Sequence, residues 1–370
     1  MWFKKRTYLD TAAGIAGNPS SPHEEGRRAK VVLEDSRTAI ARLVEVQSDD
    51  VIFTSGATES NALAILGYVR ALRAKGKNDV HVLYLPSSHA SIIENVKLLE
   101  AEGATIEALP IRDYRVDTVA LREMLRSETV LVAMDAVCGE TGVVWNTREV
   151  AEVLKDTSAV LHVDASQAPA TEKITRDHFG ADMLTFDGSK VGPMRGIGAL
   201  IAHRTVPMLP LYKGGGQERA LRPGSESPEL AESFARALAS AVQGREAFVT
   251  SASENRTKLI ERITNNIPDV SIQQGAKQAP HILNLSLPGR DTDYLIALLD
   301  EAGFAVSTRS ACETDSEEGS RAIYALTGDS EKARSTLRIS WNPDTRLSEL
   351  LRFSEALTET VAFIDRGTQR

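Results

Sequence analysis

The stretch Leu161-His162-Val163-Asp164-Ala165-Ser166-Gln167 reads as a buried strand that ends in an acid. Further on, Ala181-Asp182-Met183-Leu184-Thr185-Phe186-Asp187-Gly188-Ser189-Lys190 reads as a second strand running into a polar turn that carries a lysine. Short apolar runs of this kind, without a polar face, suit strands covered on both sides, as in a parallel sheet. Outward from these two, strand-like and helical runs alternate from Val51 to about Ala202. Val51 to Thr54 precedes a helix from Thr58 to about Lys75, and Val80 to Leu85 precedes a helix from Ala90 to Glu102. Ala104 to Leu109, Val130 to Met134, Val160 to Val163 and Met183 to Phe186 continue the series, and Ile197 to Ile201 reads as a last strand folding back. The alternation predicts an α/β fold on a mostly parallel sheet.

Beyond it the texture changes. Ser227 to Glu246 is alanine-rich and helical, a bridge between domains, and a second helix runs through Arg256 to Ile263. Strands at His281 to Leu287, Ala305 to Ser307 and Thr336 to Ser340, a helix opened by Asp291 and a terminal helix predict a smaller α+β domain. The expected division is 12–245 for the large domain, with 1–11 and 246–370 forming the small one.

At 370 residues the chain is long enough for two domains with substantial cores. A net charge of −8, with no sustained lysine or arginine cluster, argues against direct nucleic-acid binding. The apolar run Val130 to Met134 is cut by Asp135, and no stretch approaches membrane-spanning length. Lys4-Lys5-Arg6 leads into a strand-like Thr7-Tyr8-Leu9 rather than an apolar leader. The two cysteines, Cys138 and Cys312, give neither a disulfide framework nor metal-ligand spacing, so a reducing, cytoplasmic setting is expected.

Several segments carry chemistry. Thr54-Ser55-Gly56-Ala57-Thr58-Glu59-Ser60 lies where a strand becomes a helix, where small residues let N–H groups approach an anion; alone it reads more readily as a plain helix cap. His89 ends a strand, at the edge where open α/β sheets place ligands, and could stack on a flat ring or simply cap a helix. His162 and Asp164 share a strand face, but no third metal ligand is in view and no metal is expected. Cys312, between small and acidic residues, reads as an accessible thiol near Arg309, whereas Cys138 ends an apolar strand and reads as structural. Lys213 to Arg219 and Arg222 to Ser225 form a glycine-rich basic loop able to complete a phosphate cup, from this chain or a partner subunit. Arg338 is a candidate for a substrate carboxylate or a surface ion pair. Lys190 alone reads as a solvated lysine. With Asp164 at a neighbouring strand end, it suits pyridoxal phosphate, which needs a Schiff-base lysine and an acid for its pyridinium nitrogen.

Taken in order, Tyr8 to Ala13, Gly17 to His23, Thr54 to Asn61, Ser88-His89, Gly139 to Gly142, Val163 to Gln167, Gly188 to Lys190, Gly196 to Leu200, Gly214 to Glu218 and Ser310 to Cys312 resemble the cysteine desulfurases. These are a branch of the fold-type I, class V aminotransferase-like pyridoxal-phosphate enzymes. The resemblance implies a large domain with a mostly parallel seven-stranded sheet plus a small α+β domain, and a homodimer. It implies that Lys190 carries the cofactor and moves the substrate Cα proton, that Asp164 pairs with the pyridinium nitrogen, that Gln167 bonds the ring hydroxyl and that His89 stacks on the ring. Ala57, Thr58 and, across a dimer interface, Ser225 would hold the phosphate, and Arg338 would clamp the carboxylate of L-cysteine. Cys312 would take the sulfur as a persulfide, release alanine and pass the sulfur to an acceptor protein, as in iron–sulfur cluster assembly.

The resemblance breaks at three positions. The family usually has His before the Schiff-base lysine, where this chain has Ser189. A phosphate-touching hydroxyl is replaced by Asp187, and an expected Asn by Gly139. The segment between Ala13 and Gly17 is also shorter than usual. Alternatives left open are selenocysteine lysis or transamination on the same scaffold, and a degenerate scaffold that binds sulfur-relay partners without turnover.

Overall fold

The computed structural model describes residues 6–308 and 319–368. Helix α1 (Glu24–Val44) leads to strand β1 (Val51–Thr54) and helix α2 (Ala57–Ala62), which passes through a π-helical turn (Leu63–Gly67) into α3 (Tyr68–Ala74). Strand β2 (His81–Tyr84), α4 (Ala90–Ala101) and β3 (Thr105–Ala108) follow. A short hairpin of β4 (Ile111–Arg112) and β5 (Arg115–Val116) comes next, then α5 (Thr118–Met124), β6 (Thr129–Asp135), α6 (Thr147–Leu154) and β7 (Val160–Asp164). After α7 (Arg176–Phe179) come β8 (Met183–Asp187) and β9 (Gly198–Ala202).

These strands build a seven-stranded sheet in the order β1-β9-β8-β7-β6-β2-β3. Strands β8, β7, β6, β2 and β3 pair in parallel, and β9 is antiparallel to both its neighbours. The sheet is covered on both faces, which explains the unbroken apolar runs: all seven residues of β6 are buried. Val51 and Phe53 of β1 join one core with Leu33 and Ile40 of α1, while Ile52 joins the other with Leu63 and Val69.

Helix α8 (Pro228–Asn266) leads to a three-stranded antiparallel sheet of β10 (Ser271–Gln273), β11 (Ile282–Ser286) and β12 (Thr336–Ser340), with β11 in the centre. Helices α9 (Thr292–Glu301), α10 (Arg321–Thr327), α11 (Ser330–Arg334) and α12 (Leu347–Thr368) complete the chain. A third apolar core, including Leu283, Leu337, Leu295 and Phe353, lies between this sheet and helices α8, α9 and α12. No helix among the described residues is long and apolar enough to cross a membrane.

Three local expectations differ from the structure. The helices expected at Ser227 to Glu246 and Arg256 to Ile263 are one 39-residue helix, so position 245/246 falls inside α8. Nothing between them breaks a helix: the lone Gly244 costs about 1 kcal/mol, which the packed apolar face outweighs. Ala305 to Ser307 forms only an isolated bridge, Ser307 to Arg338, and Thr7 to Leu9 pairs with no strand.

A buried ion pair ties the glycine-rich loop to the large sheet. Glu218 accepts from both terminal nitrogens of Arg37, at 2.6 and 2.7 Å, and from the Phe53 N–H at 2.7 Å. Glu218, Arg219 and Ala220 all have positive φ, so the loop bears strain that this anchor offsets. Glu218→Ala would strand the Arg37 charge, and we expect a loss of about 3–5 kcal/mol in urea unfolding.

His281 carries a pH signature. Burial first, and then the Arg256 charge, lower its pKa to about 4. The unfolded imidazole takes its proton near pH 6.5, so between these values the unfolded chain binds more protons. Stability is therefore full above about pH 6.5 and is lost as pH falls toward 4. Asp135 acts in the opposite sense, because burial raises its folded pKa, so the test is a difference between variants. Between pH 7 and 5, His281→Gln should lose about 2 kcal/mol less than the native chain, measured by urea denaturation at both pH values.

Candidate active site

Parallel pairing places the ends of β6, β7 and β8 at one edge of the sheet, where open α/β sheets bind ligands. Asp135 lies opposite Asp164 in the strand register, and Asp187 ends β8. His89, two turns of chain beyond β2, and Ala57, beyond β1, reach the same edge. Together these residues line a cavity of about 270 Å³, which Arg338 of β12 closes from the small sheet.

Four acids line the cavity, and the three at strand ends, Asp135, Asp164 and Asp187, are managed in three different ways. Asp164 accepts from Asn61 Nδ2 at 2.7 Å and from the Ser166 N–H at 2.9 Å. Asp135 is fully enclosed: burial, reinforced by the Asp164 charge, pushes its carboxyl well above the usual range. Asp187 is held by three donors. Its Oδ2 accepts from the Ala57 N–H at 2.9 Å, and its Oδ1 from the Ser189 N–H at 2.8 Å and the Ser189 hydroxyl at 2.6 Å.

Cationic and neutral groups share the cavity with these acids, and the His89 N–H donates to Asp135 Oδ1 at 3.4 Å. Lys190 is exposed to the cavity and has no hydrogen-bond or ion-pair partner among the described residues. Arg338 donates to the Gly139 carbonyl at 3.3 Å and pairs with no described carboxylate, leaving its charge available to an anionic substrate. His89 caps α4 by accepting from the Ser91 N–H at 3.2 Å, and it is exposed, so the capping and cavity-lining readings of this residue both hold. A Cβ at Gly139 would lie 3.3 Å from the Gln167 amide, so the missing asparagine is space that Gln167 borders.

Pyridoxal phosphate has a ring half and a phosphate half, and the cavity suits them unequally. For the ring there are a free amine, a buried carboxylate and the Gln167 amide. The buried hydroxyls of Ser87 and Ser166 also line the cavity without a partner among the described residues, and a polar ring would satisfy them. For the phosphate, Ala57 and Thr58 do line the cavity, but the Ala57 N–H is already taken by Asp187.

Other expected residues lie elsewhere. Ser225 sits 3.4 Å from Asn18 Nδ2 and does not line the cavity of its own chain. Arg222 of the glycine-rich loop lies 3.3 Å from Glu59 instead of in a phosphate cup. Cys312 and Arg309 lie outside the described residues. His162 is fully buried with Nε2 3.1 Å from Thr185 Oγ1, and burial lowers its pKa to about 4, so it is a neutral hydrogen-bonding group. Sequence reading missed Asp135, Glu140, Ser166 and Arg321 as cavity residues. For Asp135 the signal was present: an acid ending an apolar strand, as Asp164 does.

The whole arrangement matches known proteins. The aminotransferase class-V family model matches residues 6–353. Cysteine desulfurase IscS 1 of Archaeoglobus fulgidus is 33% identical, over 90% of this chain and 88% of the relative. This chain belongs to the cysteine desulfurase family. Among solved structures, a NifS-like protein superposes with a TM-score of 0.86 at 26% identity, covering 94% of this chain and 92% of that one. SspA, solved in complex with cysteine, gives 0.74 at 26% identity over 88% and 91%. The family's mostly parallel seven-stranded sheet, expected from the sequence, is the sheet found here.

Cys138 also lines the cavity, but burial, followed by the Glu140 charge, pushes its thiol up to about 12. It remains a protonated thiol at neutral pH and is no nucleophile. Iodoacetamide at pH 7.5 should therefore leave Cys138 unmodified in the folded chain and label it only in denaturant, as peptide mass spectrometry would report.

Proposed function

We propose that this chain removes sulfur from L-cysteine with a pyridoxal cofactor, releasing L-alanine and passing the sulfur as a persulfide to an acceptor protein. The observation that carries the reading is Lys190, a free amine in the same cavity as the buried, hydrogen-bonded carboxylate of Asp164. The cofactor, when bound, supplies an electron sink for the substrate's Cα and Cβ bonds. Lys190 would hold it by its aldehyde carbon, Asp164 by the ring nitrogen, Gln167 by the ring hydroxyl, and His89 would cover the ring face.

The protein's own groups then divide the work. Arg338 binds the substrate carboxylate, which fixes the amino acid relative to Lys190. The Lys190 amine moves the proton at the substrate Cα. The Cys312 thiolate attacks the substrate sulfur: an S–S bond forms, the substrate C–S bond breaks, and the carbon takes a proton to become the alanine methyl. The enzyme sulfur is oxidised and the carbon reduced, so cysteine plus enzyme thiol balances alanine plus enzyme persulfide. Transfer to a thiol of the acceptor restores Cys312.

The domain division at 12–245, against 1–11 and 246–370, belongs to the same proposal, with α8 bridging the two. So does a homodimer, in which the partner's loop would bring Ser225 to the phosphate end. One observation favours a second reading, a scaffold without turnover: the Asp187 carboxylate on the Ala57 N–H.

Alanine released from L-cysteine, with added cofactor and reductant, separates the two readings. We expect alanine from the native chain, none from Lys190→Ala, and a loss of at least about a hundredfold in Cys312→Ser. An inactive native chain would sink the desulfurase reading.

A further inference from the structure

At the phosphate end of the cavity one acid, Asp187, occupies a backbone donor, and the Thr58 hydroxyl is the donor left beside it. In the segment from Ser55 to Ala57, each N–H is spoken for by the chain itself. Ser55 donates to Glu59 Oε2 at 2.6 Å, Gly56 to Thr54 Oγ1 at 3.3 Å, and Ala57 to Asp187 Oδ2 at 2.9 Å. Asp187 is not loosely placed. Its second oxygen is fixed by the Ser189 N–H and hydroxyl, and a Cβ at Gly56 would come within 3.2 Å of its first.

Among the described residues, no hydrogen bond or ion pair joins Asp187 to a cationic side chain. Arg222 is paired with Glu59, Arg219 donates to the carbonyls of Asp49 and Ala202, and Arg338 donates to the Gly139 carbonyl. A phosphate ester at neutral pH carries close to two negative charges. At the start of α2 it would compete with Asp187 for one N–H and meet a like charge in a half-buried setting, where solvent screens poorly.

We propose that Asp187 sets cofactor specificity: its carboxylate is a built-in anion at the phosphate end. The cavity therefore takes a formyl-hydroxypyridine with an uncharged hydroxymethyl arm, pyridoxal itself, at least as well as the phosphate ester. This rests on the reading of Lys190 and Asp164 as the ring site. Ser189 serves as a positioning residue, since both of its donors orient the carboxylate.

Equilibrium dialysis of the full chain against each aldehyde tests this without recourse to activity. The native chain should bind pyridoxal as tightly as pyridoxal phosphate or more tightly. Asp187→Ser should tighten pyridoxal phosphate by at least about tenfold and leave pyridoxal within about threefold. Asp187→Asn, which keeps shape and removes charge, should move in the same direction and guards against a misfolded serine variant. Inorganic phosphate should raise the melting temperature of Asp187→Ser and leave that of the native chain unchanged. Native binding of the phosphate ester more than about tenfold tighter than pyridoxal would overturn the inference and leave the desulfurase reading standing. Unchanged phosphate-ester affinity in both variants would do the same. Failure of the native chain to bind either aldehyde would sink both.

Discussion

Because β6, β7 and β8 run in parallel, the sheet delivers Asp135, Asp164 and Asp187 to one edge, and everything in the cavity follows from accommodating three acids there. Like charges this close cannot all stay ionised without partners. Asp164 is stabilised by Asn61 and the Ser166 N–H, the buried Asp135 carboxyl is pushed upward, and Asp187 leans on the start of α2. The cations are then left uncommitted to these acids: Lys190 has no described partner and Arg338 only a neutral carbonyl. An acidic floor with free basic groups at its rim is a setting for a cationic ring and an anionic amino acid.

The second constraint is the anchoring of the glycine-rich loop. Its backbone takes three consecutive positive φ values only because Glu218 is gripped by Arg37 and the Phe53 N–H. Neither the anchor nor the loop's arginines line the cavity, so the loop does not furnish a phosphate cup in its own chain. Arg222 and Arg219 spend their donors on Glu59 and on backbone carbonyls. Loop composition suggested phosphate, but the partners of each donor are decided by how the loop is tethered.

Much of the frame was legible. Strands β1, β2, β6, β7, β8 and β9 each show as a short apolar run, β3 at the sheet edge is mixed and largely exposed, and α4 and α9 open at capping residues, His89 and Asp291. The small sheet was harder to read. Ala305 to Ser307 has strand-like composition yet forms a single bridge, and β10 and the β4–β5 hairpin lack a run long enough to see. Length is the reason, because two or three residues do not establish a period.

For the site, the sequence by itself determined the residue types and their strand ends: Asp164, Lys190, His89 and the Ala57-Thr58 turn. It also fixed the family, through ordered motifs that survive at about one-third identity. Only the tertiary structure decided who meets whom. The Asp187 carboxylate reaches the Ala57 N–H across 130 residues, Glu218 reaches Arg37 across 181, and the Asp135 carboxyl is pushed upward by burial and then by Asp164, which strand pairing sets beside it. Apolar periodicity is a local property and can be read along the chain. The partner of a hydrogen bond or a charge depends on strand order and on burial, which exist only once the sheet has formed.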